Sequence, residues 1–287
     1  MTALLSQNLA LFTFVAGILG LIVGSFLNVV VHRLPIMMER EWRAQCALTQ
    51  DQPLPETESV RFDLIEPRSH CPHCAHQVTA LENIPLLSYV WLRGKCSSCK
   101  APISARYPLV ELLTALLSAA VAWRFGYGGE AAAGIALTWC LVALSFIDYD
   151  TQLLPDSITL PLIWLGLLLS LYPVWVSSDT AIIGAVAGYL LLWSVYQAFR
   201  LTTGKEGMGF GDFKLLSALG AWFGWKMLGV IVLLSSAAGA VVGILLMALR
   251  GHGRDKPIPF GPYIALAGWI AMMWGESLLN WYLRSLV

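Results

Sequence analysis

Residues 8–31 read NLALFTFVAGILGLIVGSFLNVVV, a run that contains no charged side chain. A helix crossing a bilayer needs about 20 predominantly apolar residues, so this stretch is long enough to span. It has neither a basic segment ahead of it nor a small-x-small cleavage site, and it is expected to persist as a first transmembrane helix rather than be removed as a signal. Seven further apolar segments follow, at 108–125, 130–147, 158–176, 180–199, 212–224, 227–249 and 262–283. The segment at 212–224 is short for a span and reads as a half-helix or re-entrant piece. Composition agrees: 57% of residues are hydrophobic and 13% charged, about half the charge of a soluble domain, and mean hydropathy is +0.67. The formal net charge is zero, which gives no footing for a nucleic-acid partner. The expected fold is an all-α polytopic membrane protein with about eight transmembrane helices in a lipid bilayer.

The charges are concentrated. Residues 32–107 hold nine Lys/Arg and eight Asp/Glu, with Pro53, Pro55, Pro67, Pro72, Pro85 and Pro102 and no apolar run long enough to span. The chain therefore divides into a first helix (1–31), a small soluble domain (32–107) and a membrane bundle (108–287). Cytoplasmic loops carry the excess of Lys and Arg. With eight spans, fifteen Lys/Arg fall on the side that holds 32–107, and only Arg124, Lys226 and Arg284 on the other. Both termini are thus expected outside, and the soluble domain in the cytoplasm.

That domain carries Cys71-Pro-His-Cys74 and, 21 residues later, Cys96-Ser-Ser-Cys99. Two thiolates on one tight turn can face one ion, and two such turns supply the four soft ligands that Zn²⁺ favours. A thioredoxin-like redox motif would need one pair only, within a βαβ context that is missing here. A cytoplasmic setting also argues against disulfides. With Cys71, Cys74, Cys96 and Cys99 all ligands, the zinc has no open position and is structural. Cys46 and Cys140 have no partner at ligand spacing.

Ionisable groups beside spanning segments are costly and mark function. Asp148, Asp150 and Asp156 lie in SFIDYDTQLLPD (145–156), at the end of the third predicted helix, and Asp212 follows the glycines of GMGFGD (207–212). The topology puts both clusters on one membrane face. Two carboxylates brought together there share a proton, and such a pair can activate a water between an acid and a base. Asp156 follows Pro155 and precedes an apolar run, as a helix N-cap does. Asp212 suits either a cap or a catalytic acid, and its glycines would let backbone approach a substrate closely. They match no nucleotide-binding loop. Trp175, Trp222, Trp225 and Trp281 read as interface anchors, and Gly229, Ala237, Gly239 and Gly243 as close helix packing.

Together these pieces resemble the type IV prepilin leader peptidases, bifunctional enzymes of the bacterial inner membrane. The resemblance rests on Gly24-Ser-Phe-Leu-Asn-Val29 with His32-Arg-Leu-Pro35, the double C-x₂-C, Glu82-Asn-Ile-Pro85 and Arg106-Tyr-Pro-Leu-Val-Glu111. It continues through Ile147-Asp148, Leu154-Pro-Asp156, Gly209-Phe-Gly211-Asp212 and Pro259-Phe-Gly-Pro262, and covers nearly the whole chain. It implies an aspartyl protease whose pair is Asp148 and Asp212, although spacing alone leaves Asp150 open. The implied substrates are prepilins and type II secretion pseudopilins, cut after the last glycine of the leader at the cytoplasmic face. The resemblance further implies N-methylation of the new terminus, with S-adenosylmethionine as donor. No Rossmann-type methyltransferase motif is present, so the donor site would be built from the soluble loop and adjoining helix ends. Candidates are Asn28, His32, Arg33, Glu39, Glu82, Asn83, Gly94, Lys95, Arg106 and Glu111. Glu111 lies inside the start of a spanning segment, where an unpaired carboxylate is expensive, and a specific partner is expected for it. Three other readings compete: a cation-coupled transporter with Asp148 and Asp212 as relay groups, a presenilin-like protease without methyl transfer, and a zinc-stabilised scaffold.

Overall fold

The computed structural model describes residues 2–50, 61–250 and 258–285. Its helices are α1 (Thr2–Gln7), α2 (Leu9–Thr49), α3 (Leu87–Trp91), α4 (Arg106–Phe125), α5 (Gly129–Thr151), α6 (Asp156–Leu169), α7 (Ser178–Thr203), α8 (Phe210–Phe223), α9 (Trp225–Arg250) and α10 (Gly261–Ser285). Each predicted apolar segment coincides with one of these helices except 158–176, whose helix α6 ends at Leu169 after 14 residues, leaving 170–176 in turns. Among the described residues, α2, α4, α5, α7 and the Trp225–Leu249 part of α9 are long and apolar enough to cross a membrane. The chain is a multi-pass membrane protein. It divides into two compact units, residues 1–131 and 132–287.

In the first unit, α2 opens on Asn8, whose side-chain oxygen accepts the Leu11 N–H at 3.0 Å, a standard satisfaction of an orphan donor. The helix does not stop at residue 31. It continues through Pro35 to Thr49, and a Glu39–Arg43 ion pair one turn apart braces its polar half. The apolar half packs against α4. A side chain at Gly20 would lie 2.8 Å from the Ala115 Cα, and one at Gly24 would lie 2.8 Å from the Glu111 Cα. These contacts fix an antiparallel pair whose backbones touch through a small-x₃-small seam.

In the second unit, α8 is the core. Its residues from Asp212 to Phe223 are buried except for a half-buried Lys214. At 14 residues it is about 21 Å long, shorter than a bilayer core, and its neighbours shield it instead. α7 approaches it backbone to backbone, since a Cβ at Gly184 would sit 2.1 Å from the Gly220 carbonyl oxygen and one at Gly188 would sit 2.6 Å from that of Leu216. Ser217 also donates to the Ala185 carbonyl at 2.8 Å. On the α6 side, the Trp222 indole N–H donates to the Leu162 carbonyl at 2.9 Å. Trp222 is therefore a core residue, not an interface anchor: its ring fills the space over Gly166. The side chain of Trp281 lies outside the described residues. Along α9, a Cβ at Gly239 or Gly243 would be in ordinary contact with Tyr263 or Ile258 at 3.5 and 3.6 Å and Gly229 has nothing within 4 Å, so the tightest glycine contacts of this unit lie at α7–α8.

Candidate functional site

The two C-x₂-C turns fold alike. The Cys71 N–H donates to the His76 carbonyl and the Cys96 N–H to that of Ala101, while the Ala75 and Lys100 amides return to the Cys71 and Cys96 carbonyls. Ala75 and Lys100 both take positive φ, at 56° and 61°, and a single antiparallel bridge closes each turn, His70 to Gln77 and Lys95 to Pro102. This repeated geometry aims four thiols at one point. All four sulfurs lie within 4.8 Å of one another, with Cys71 to Cys99 at 3.7 Å and Cys74 to Cys96 at 4.0 Å. Thiolates held tetrahedrally around an ion about 2.3 Å away stand roughly 3.8 Å apart, and none of the four is in a disulfide. The donor set fits a structural metal. Cys46 and Cys140 are unbridged and outside this cluster.

Glu82 belongs to the scaffold of this centre. Its carboxylate accepts the Thr79 amide at 2.8 Å and the Thr79 hydroxyl at 2.9 Å, beside the His76 ring. Hydrogen bonds from Ser97 and Thr79 hold it well below the usual glutamate range, at about 2. Arg33 is also occupied: buried, it donates to the carbonyls of Asp63 and Pro67 and lies against the Phe62 ring. Asp63 in turn accepts the Ile65 and Glu66 amides, which with Arg61 keep it at about 2. Glu39 pairs with Arg43. Gly94 takes φ +67° and lies under Tyr89, where a side chain would crowd the ring. His32, Asn83 and Lys95 are exposed and Arg106 is half-buried at the start of α4.

Asn28 and Glu111 are the two methyl-donor candidates placed together on the α2–α4 seam. Asn28 donates its side-chain N–H to the Tyr107 carbonyl at 3.1 Å. Glu111 is buried, and its Oε2 accepts the Leu86 amide at 2.9 Å, with Ser25 of α2 donating to the same carboxyl group. The partner expected for Glu111 is thus backbone from the Glu82–Pro85 segment's far side, where Leu86 takes a positive φ of 59°.

The carboxylates of the second unit separate by environment. Asp148, on the last turns of α5, is 5% exposed, and Asp212, in the first turn of α8, is 7% exposed. Asp150 faces outward. The Asp148 Oδ2 accepts the Gly261 N–H at 2.9 Å, from the first residue of α10. Asp212 is not a cap: Gly209 occupies that position, and the Asp212 Oδ1 is buried with no hydrogen-bond partner. Leu154 ties the pieces together, since Cβ atoms built at Gly211 and at Gly261 would meet it at 2.6 and 3.1 Å. Of the three glycines before Asp212, Gly207 and Gly211 yield to Phe199 and Leu154, and only Gly209 has open space beside it.

Asp156 does not cap α6 with its side chain. Pro155 holds the capping position, and Asp156 grips Lys214 of α8 with both oxygens, at 2.6 and 2.7 Å. Neither this pair nor the Gly261 amide was visible from spacing. The Pro259-Phe-Gly-Pro262 signature was the only trace of the latter.

Comparison with known proteins agrees along the chain. Residues 18–125 match the bacterial peptidase A24 N-terminal domain, and residues 135–244 match the type IV leader peptidase family. A protein of Aeromonas hydrophila named prepilin leader peptidase/N-methyltransferase is 60% identical over 93% of this chain and 92% of its own length. Proteins of the same name from Stutzerimonas stutzeri and Pseudomonas aeruginosa are 55% and 56% identical, over 98% and 93% of this chain and 96% and 92% of theirs. No solved structure matches.

Proposed function

The chain belongs to the type IV leader peptidase family, and from that premise we propose how its residues divide the work of prepilin cleavage and N-methylation. Asp148 and Asp212 are the proteolytic pair. The observation that carries this is their shared burial, with one carboxylate held by the Gly261 amide and the other keeping a buried oxygen unpartnered. One aspartate, ionised, takes a proton from water; the other, neutral, protonates the departing amide nitrogen as the peptide bond after the leader's last glycine breaks. Taking the eight apolar segments as spans of the inner membrane, the positive-inside count puts both termini in the periplasm and the site toward the cytoplasm. This orientation suits substrates with a basic leader inside and an apolar stem in the bilayer, prepilins and type II secretion pseudopilins alike.

The four cysteines hold a structural Zn²⁺, supported by sulfur spacings that match a tetrahedral shell. S-adenosylmethionine supplies an electrophilic methyl group when bound. Asn28 and Glu111 stand together on the α2–α4 seam, and a bound donor would compete there for the side-chain N–H that Asn28 donates to the Tyr107 carbonyl and for the Glu111 carboxyl oxygen that accepts the Leu86 amide. Arg33, Glu39 and Glu82 are committed to local structure and support the site indirectly.

The test is cleavage of a prepilin-like peptide by the purified full chain in detergent, with Asp148→Asn, Asp150→Asn and Asp212→Asn beside wild type. Loss of cutting in the first and third alone, with zinc content unchanged, supports the pair. Cutting at the wild-type rate by both would discard the aspartyl mechanism and revive the transporter reading.

A further inference from the structure

Helix α3 is short and carries three large apolar side chains on one face. Leu87, Val90 and Trp91 stand at i, i+3 and i+4, the spacing of neighbours on a helix surface, and they are 67%, 73% and 80% exposed. A soluble surface seldom leaves so much apolar area contiguous without a partner for it. The opposite side of the segment is engaged, with Tyr89 lying against Gly94.

A hydrogen bond ties this helix to a predicted membrane span. Leu86, immediately before α3, donates its amide to Glu111. Glu111 lies five residues into α4, a helix whose 20 residues give about 30 Å, the whole thickness of a hydrocarbon core. It also packs beside Gly24 of α2, seven residues before the predicted end of the first span, roughly 10 Å at 1.5 Å per residue. The start of α3 is therefore held within about 10 Å of the neighbouring ends of both predicted spans, close to the membrane surface. Charge points the same way. From Asn83 to Val110 the chain has Arg93, Lys95, Lys100 and Arg106 and no acidic residue, and Arg93, Lys95 and Lys100 are exposed.

We infer that the Leu87–Val90–Trp91 face of α3 is an interfacial membrane anchor, seated among lipid headgroups with the basic residues that follow it against anionic phosphates. An apolar face with a Trp and flanking cations is the composition that binds such surfaces. The anchor would keep the segment that bears the four cysteines pressed to the bilayer.

The experiment uses the full chain, labelled with 5-fluorotryptophan, in nanodiscs of phosphatidylethanolamine and phosphatidylglycerol. Loss of one ¹⁹F resonance in Trp91→Phe assigns Trp91. A lipid nitroxide high on the acyl chain is expected to broaden that resonance away, while a water-soluble gadolinium chelate leaves it sharp. In Leu87→Ser/Val90→Ser the pattern is expected to reverse. Broadening by gadolinium alone would place Trp91 in water, and protection from both agents would place it under protein, from this chain or a second copy. Either result overturns the anchor, as does a lipid contact that the double substitution leaves unchanged.

Discussion

The Gly261 N–H lies 2.9 Å from the Asp148 Oδ2 across 113 residues of chain, and a Cβ built on Gly261 would come within 2.6 Å of the same oxygen. The glycine thus both donates to the carboxylate and leaves room for it. Gly261→Ala is expected to displace Asp148 and lower peptide cleavage about a hundredfold, the scale of an ångström's misplacement of a reacting group. Gly239→Ala, whose nearest neighbour would be 3.5 Å away, is expected to cut like wild type. Initial rates on one prepilin-like peptide decide this, and equal rates for the two variants would remove Gly261 from the site.

Lys214 and Asp156 join the second turn of α8 to the first turn of α6, the elements that flank the two buried aspartates. The pair is partly exposed, at 26% and 54%, so its contribution to stability is at most about 1 kcal/mol. Its expected effect is on geometry. Lys214→Ala and Asp156→Ala are each predicted to reduce kcat roughly tenfold with little change in KM, and the exchanged pair Lys214→Asp/Asp156→Lys to recover part of it. A thermal melt accompanies the kinetics, because a loss of activity that merely tracks unfolding would mark the pair as structural only.

The four sulfurs predict one zinc per chain, measurable by elemental analysis of protein purified without added metal. Cys96→Ser is expected to lose the ion. Apparent binding energies of structural zinc are roughly 10–16 kcal/mol, so its removal should release residues 61–104 to limited proteolysis. Full metal content in the variant would refute the cluster.

Glu111 offers a separable test of the first unit. Glu111→Ala leaves the Leu86 amide without its acceptor, at a cost of about 1–3 kcal/mol, and faster hydrogen exchange is expected at residues 84–92. Glu111→Gln keeps an acceptor oxygen and should restore protection. Equal exchange in both variants would mean that the hydrogen bond does not hold this segment.

Much of the molecule could be read from neighbouring residues. Helices declared themselves in apolar run lengths, because a chain in lipid must satisfy its backbone locally. The four-thiol cluster declared itself in two C-x₂-C turns, because each pair of thiols is placed by its own tight turn. Asp148 and Asp212 stand out in the sequence by the cost of a carboxylate beside apolar helices, and the fold buries both. Trp222 sits near a helix end, as an interface anchor would, but that position does not reveal which helix covers the ring; α6 does, through the Leu162 carbonyl.

What the sequence determined by itself was therefore everything set by short-range forces: the apolar helices, the charged insertion between the first and second predicted spans, the four clustered thiols and the pair of costly carboxylates. Tertiary structure alone decided the partners. It chose Gly261 rather than a side chain to hold Asp148, gave Asp156 to Lys214 instead of to a helix cap, and turned Glu111 toward Leu86. Those choices depend on which helix faces approach to within a hydrogen bond, and close approach rests on glycines at Gly24, Gly184 and Gly220 whose role is invisible until the opposing backbone is in place.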